Sequence, residues 1–296
     1  MKNLKKLMCM ALALITVFSL CACGAKEEAP AAAPAEEAAA PANALEQIKA
    51  DGVLTVALSP DFAPMEFVDS SKSGQEQYVG FDVTLAQYIA EYLGVELVIE
   101  PMGFDACQTA VYTGAVPMSI SGYSWTEERA ENYELSDYYY AGENETEQVL
   151  LIRKDDVEKY TKAEDFAGLD VGAQNASLQM QLVTEQLADA NPITIGDIGV
   201  GVLDLQSGNI EALAVATGNA EMIMESNPDL VICAWQFEVK AEYEANVIMI
   251  GKGEVELLAA VNEALAKAYE AEYYGEWYEA AVELAKSESA EQVTIE

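Results

Sequence analysis

Carboxylates are best held by a planar, permanently charged donor that makes two parallel hydrogen bonds, and arginine is that donor. Arg129, in Thr126-Glu127-Glu128-Arg129, is one of very few arginines here, with Arg153, in a chain carrying 51 Asp and Glu. It can anchor an anionic ligand, or it can cap a helix or pair with a glutamate at the surface. In a cleft it has little packing to lose, so its replacement is expected to leave the fold intact. Ser177, in Asn175-Ala176-Ser177, opens an apolar-periodic stretch. Free N–H groups and the dipole at such a helix start suit an anion, yet serine is also a good N-cap with no ligand at all. Histidine is absent from the sequence, which removes the commonest acid/base group, and no carboxylate pair stands out at a motif. These residues favour binding over catalysis, with no cofactor and no metal.

The elements that must position them alternate. Strand-like runs cover 53–58, 95–99, 118–120, 149–152, 169–173, 193–195, 210–215 and 247–250. Helical spacing covers 81–93, where Leu85, Ile89 and Leu93 share a face before Gly94, and then 104–112, 177–188, about 200–205, a stretch after Gly218, and 255–270. Such alternation predicts α/β layers with mostly parallel sheets.

Ahead of these elements, Lys2, Lys5 and Lys6 precede an apolar run over 7–20, closed by Leu20-Cys21-Ala22-Cys23. The run is shorter than the roughly 20 residues a bilayer core demands, so residues 1–22 read as a secretory signal peptide. Cys23 resembles the lipobox cysteine of bacterial lipoproteins, which implies a diacylated N-terminus there. From Gly24 to about Asn43 the chain is acidic and rich in Ala and Pro, a tether unable to offset its own ordering entropy. About 250 residues then remain, enough for one large domain or two lobes. Removing the signal, with its three lysines and no acid, takes the net charge from −36 to −39. Such a polyanion repels nucleic acid and anionic lipid, so membrane attachment rests on the lipid anchor. Cys107 and Cys233 are expected to be buried thiols, and without histidine they make a poor zinc site.

Three segments carry a family resemblance: Gly80-Phe81-Asp82-Val83-Thr84-Leu85-Ala86, Trp125-Thr126-Glu127-Glu128-Arg129 and Leu135-Ser136-Asp137-Tyr138-Tyr139. In this order they resemble signature segments of the polar-amino-acid solute-binding proteins of ABC importers, bacterial extracellular solute-binding family 3. Likeness continues through Leu169-Asp170-Val171-Gly172-Ala173-Gln174 and Ala260-Val261-Asn262-Glu263-Ala264-Leu265. The resemblance implies a two-lobed, periplasmic-binding-protein-like fold of type II, with two hinge strands and a ligand cleft between the lobes. Lobe 1 is expected over 44–142 and 246–296 and lobe 2 over 143–245, with crossings near 140–145 and 243–246.

The same resemblance assigns roles. Arg129 stands at the position that holds the ligand carboxylate. The loop Ser121-Gly122-Tyr123-Ser124 matches the segment whose N–H groups and hydroxyl contact the ligand; where the family often has a hydroxyl, Gly122 offers only its N–H. Phe62, in Pro60-Asp61-Phe62-Ala63-Pro64, matches the aromatic covering the ligand's apolar part, a core phenylalanine being the alternative. Ser177 matches the lobe 2 contact to the carboxylate. After Gly208-Asn209-Ile210-Glu211-Ala212, Ala216 takes the place of an aspartate that pairs with the ligand's ammonium. An unpaired buried ammonium is costly, so either Asp61 or Glu66 substitutes, or the ligand is not a plain α-amino acid; Thr217 can add a hydrogen bond but no charge. The expected function is capture of an amino acid or related carboxylate by lobe closure, for an ABC permease and ATPase, by a lipid-anchored monomer on the extracytoplasmic face. The alternatives are a receptor presenting ligand to a membrane sensor, and a dehydratase-type enzyme on the same fold.

Overall fold

A computed structural model describes residues 41–139 and 147–293. The expected signal peptide, Cys23, most of the tether and the first crossing lie outside the described residues. Helix α1 (Ala44–Asp51) starts where the Asn43 side chain accepts from the Glu46 N–H, and it leads into β1 (Val53–Leu58). A small antiparallel sheet follows: β2 (Asp61–Phe62), β3 (Glu66–Val68) and β4 (Tyr78–Val79). Its strands of two or three residues are too short for periodicity to reveal. Next come α2 (Phe81–Leu93), β5 (Glu96–Pro101), α3 (Phe104–Tyr112), β6 (Met118–Ser119), α4 (Glu127–Asn132) and β7 (Glu134–Leu135).

Beyond residue 147 a second set of elements is laid down: β8 (Gln148–Arg153), β9 (Asp170–Gln174), α5 (Leu178–Gln186), β10 (Asn191–Ile195), α6 (Ile198–Ser207), β11 (Ala212–Ala216), α7 (Thr217–Ser226) and β12 (Leu230–Gln236). The chain then returns through β13 (Met249–Ile250), α8 (Val255–Glu270) and α9 (Tyr273–Val293). One five-stranded sheet has the order β5-β1-β6-β13-β7 and the other β10-β9-β11-β8-β12. Strands from residues 53–58, 96–101, 118–119, 134–135 and 249–250 thus share one sheet and strands from residues 148–236 form the other, which makes a two-lobed α/β fold.

Neither sheet is mostly parallel. In the first, β1 runs parallel to β5 and β6, but β13 is antiparallel to β6 and β7. In the second, β9 is parallel to β10 and β11, but β8 is antiparallel to β11 and β12. The reversed strands are the one that opens the second set of elements and the one that returns from it. Strand β11 is buried throughout, so its apolar run is continuous, as both faces of a covered strand require. The core of the first lobe gathers Leu54, Val56, Phe81, Leu85, Ile89, Val261 and Leu265.

Helix α9 was not foreseen, because its mixture of Tyr, Trp, Glu and Ala shows no clean apolar stripe. It packs on α7 of the other lobe, where Phe67, Met222 and Ala285 form a small buried cluster. Cys107 in α3 and Cys233 in β12 are buried free thiols. Among the described residues no helix is long and apolar enough to cross a membrane.

Candidate functional site

Arg129 sits where the two lobes meet. The Thr126 hydroxyl accepts the Arg129 N–H at 3.2 Å and starts α4, aiming the side chain inward. Its Nη1 donates to the Ser124 carbonyl at 2.7 Å and its Nη2 to the Ala176 carbonyl of the other lobe at 3.0 Å. The guanidinium carbon lies 5.2 Å from the Tyr123 ring centroid and 5.8 Å from that of Phe104, within cation–π range. Only 5% of the residue is exposed, and burial pulls its pKa below the usual arginine value. The expectation of little packing therefore fails: this arginine is enclosed by two rings and bonded to both lobes. No salt bridge reaches it among the described residues.

The loop before α4 is held from behind. Ser121 Oγ donates to Glu66 Oε1 and accepts the Ser59 N–H at 3.0 Å. The Gly122 N–H, expected to face a ligand, donates to Asp82 Oδ2 at 2.7 Å. Gly122 has φ +57°, and a Cβ there would come within 2.8 Å of the Phe62 ring, so a hydroxyl-bearing residue cannot be accommodated without shifting that ring. Tyr123 is fully buried, its hydroxyl bonded to Ser119 Oγ at 2.8 Å, and it presents its ring face to Arg129. Ser124 contributes its carbonyl to Arg129 and a backbone bridge to Asn246.

Asp61 and Glu66 part company. Oδ2 of Asp61 accepts from Gln174 Nε2 at 2.9 Å and from the Ile198 N–H at 2.8 Å, both in the other lobe, while Oδ1 accepts from Ser59 Oγ at 2.7 Å. Burial raises its pKa, against the lowering effect of the Ile198 N–H. Glu66 is wholly buried behind the loop, where it faces Asp82 rather than the cleft. Phe62 packs against the cores of both lobes and lines the cleft.

On the opposite wall, Ser177 Oγ accepts the Met180 N–H at 3.1 Å and caps α5. Ala176 has φ +58°, which turns its carbonyl towards Arg129 and Gln108. Thr217 donates both N–H and Oγ1 to the Glu147 carbonyl, at 3.0 and 3.3 Å. Ala216 pairs in register with Gln148, whose Oε1 accepts from Gln179 Nε2 at 2.6 Å. Neutral amides thus stand beside the position where the aspartate was missed.

The inner cavity between the lobes is about 30 Å³, lined by Phe62, Phe104, Ser121, Gln174, Gln179 and Ile198 among others; a more open one of about 370 Å³ is lined by Arg129 on one side and by Ala176 and Ser177 on the other. The inner cavity has room for about one water, so a ligand lying between Phe62, Phe104 and Ser121 is admitted only when the lobes part. Sequence reasoning missed Phe104, Gln174 and Gln179. Phe104 opens the helical stretch 104–112 with nothing in its spacing to mark it, and Gln174 directly follows the strand-like run 169–173, where a polar residue after apolar ones was a usable signal.

A sequence profile of the bacterial extracellular solute-binding proteins, family 3, matches residues 54–281. A probable histidine-binding protein of Campylobacter jejuni is 26% identical over 189 residues, which is 64% of this chain and 70% of that protein. The crystal structure of the amino acid ABC transporter substrate-binding protein AbpA from Streptococcus pneumoniae, bound to L-arginine, is 34% identical with a TM-score of 0.74, covering 81% of this chain and 98% of that one. The ancestral amino acid-binding protein AncCDT-1, a precursor of cyclohexadienyl dehydratase, is 27% identical with a TM-score of 0.69, covering 80% of this chain and 99% of that one.

Proposed function

Because this chain belongs to the bacterial extracellular solute-binding proteins of family 3, we propose that it captures an amino acid between its lobes for an ABC importer, with Arg129 holding the carboxylate. The observation that carries this assignment is a buried guanidinium with carbonyls and ring faces around it and, among the described residues, no carboxylate partner. A desolvated cation of this kind is stabilised by an anion. Phe62 and Phe104 cover the ligand's apolar part, Ser121 to Ser124 form the loop beneath it, and Ser177 and Thr217 close it from lobe 2. Asp61 supplies the negative charge that Ala216 lacks: three donors reach its carboxylate, which has about four acceptor positions. Lobe 1 takes 44–142 and 246–296, and lobe 2 takes 143–245.

Thermal-shift measurements across the amino acids test the assignment. A ligand at about 100 times its Kd adds about 2.7 kcal/mol, roughly 5–10 °C for a fold of this size. The stabilising amino acid should lose its effect when its carboxylate is amidated. Equal shifts from the amide, or none from any amino acid, would remove Arg129 from this role.

We read the protein as a binding protein rather than an enzyme, working as a monomer with a permease and an ATPase. Its anchor is Cys23, the diacylated N-terminus of the mature chain. Mass spectrometry of the mature protein should give an N-terminal diacylglyceryl-cysteine at residue 23; an unmodified start, or one elsewhere, would overturn the anchor.

A further inference from the structure

Behind the 121–124 loop two carboxyl groups face each other in the buried interior of lobe 1. Glu66 and Asp82 are both 0% exposed. Three donors reach them: Ser121 Oγ to Glu66 Oε1, the Gly122 N–H to Asp82 Oδ2 at 2.7 Å, and Tyr139 Oη to the same Oδ2 at 3.1 Å. The remaining oxygens, Glu66 Oε2 and Asp82 Oδ1, are buried and have no donor. The two side chains are close enough for each to bear on the other's protonation. Two buried acceptors side by side are each other's only remedy, and the remedy is a proton.

We propose that Glu66 and Asp82 share one proton, and that this protonated pair is the positioning device that fixes Ser121 and Gly122 beneath the ligand. Tyr139, bonded to Asp82, also bridges to Asn246, so the pair ties the loop to the return of the chain as well. The groups that face it are Asp61 from β2, Cys107 from α3, Tyr123 from the loop and Tyr139 after β7, and none of them is a cation. Arg129 faces the Tyr123 ring instead. A second negative charge therefore has nothing to balance it. Burial is the largest influence on both groups, raising Glu66 well above the usual carboxylate range and Asp82 to about 7.

The sign follows from linkage. A carboxyl raised in the folded state holds its proton where the unfolded chain has lost it, so the stability it contributes is complete below about pH 4 and is lost as pH rises through about 7. Above neutrality the stability held by the first proton is lost and the loop loosens. The consequence for capture rests on the ligand role proposed for this loop, and the test below uses ligand-free protein, so either can fail alone.

Glu66→Gln replaces the shared proton with a permanent donor, its amide oxygen accepting from Ser121 and its NH₂ reaching Asp82. Asp82→Asn does the same in the other direction. Between pH 5 and 8 the wild-type melting temperature should fall by roughly 5 °C more than that of either variant. Amide exchange at Gly122 should speed up in the wild type beyond the ordinary pH effect, and not in the variants. Parallel melting curves with equal Gly122 exchange would overturn the proposal. Carbon-13 carboxyl NMR of the wild type decides even if neither variant folds: one proton leaving the two groups near neutrality is the expected result, and independent loss of both protons below about pH 5 would refute it.

Discussion

Arg129→Met will weaken amino-acid binding by about 2–5 kcal/mol, the range for leaving one member of a buried charge pair alone. The methionine keeps an apolar stem and loses every donor. Arg129→Lys keeps the charge but not the fork, and should fall between the two. Stability will fall as well, because the guanidinium is 5% exposed, lies against Tyr123 and Phe104, and ties the Ser124 carbonyl to that of Ala176 across the cleft. The two losses are separable. Titration calorimetry below both melting temperatures gives the first, and melting curves give the second. Wild-type affinity in a folded Arg129→Met protein would place the carboxylate elsewhere.

Asp61→Asn should cost at least tenfold in affinity for the same amino acid, about 1.4 kcal/mol, and nothing for its amine-free analogue. Asparagine can place its carbonyl oxygen where Oδ2 accepts from Gln174 and the Ile198 N–H, so the lobe contact survives and only the charge is removed. Asp61→Ala removes both. It leaves those donors unpaired, and hydrogen bonds to a charged group are worth about 1.5–3 kcal/mol each, so affinity should drop further and for both ligands. Equal binding by wild type and Asp61→Asn would mean that the ammonium is met by the amides of Gln148 and Gln179, or by no protein charge at all.

Much of the architecture could be read from the chain because it is local. The stripe on α2, the apolar run of β11 and the capped turn that presents Arg129 each lie within a few residues. The expectations that changed depended on distance. Asp61 meets the Ile198 N–H across 137 positions, and Arg129 meets Ala176 across 47. Nothing in the neighbourhood of either residue announces its partner. Glu66 and Asp82 were visible as acids, but their pairing depends on β3 and α2 packing behind one loop, and β3 is only three residues long. Gly122 could be noticed as a departure; its reason, a left-handed backbone under the Phe62 ring, could not.

The packing of α9 on α7 bears on how long a ligand stays. Opening the lobes must draw Met222 away from Phe67 and Ala285, exposing apolar surface to water before any ligand contact is replaced. That step belongs to the escape route alone, since an incoming ligand meets lobes already apart. Residence time therefore contains a part common to every ligand, set at the contact of α9 with α7 rather than at Arg129 and indifferent to which amino acid is held. Ligands of different affinity would then differ in dissociation rate above a shared floor, and trimming Met222 would shorten all of their lifetimes by one factor.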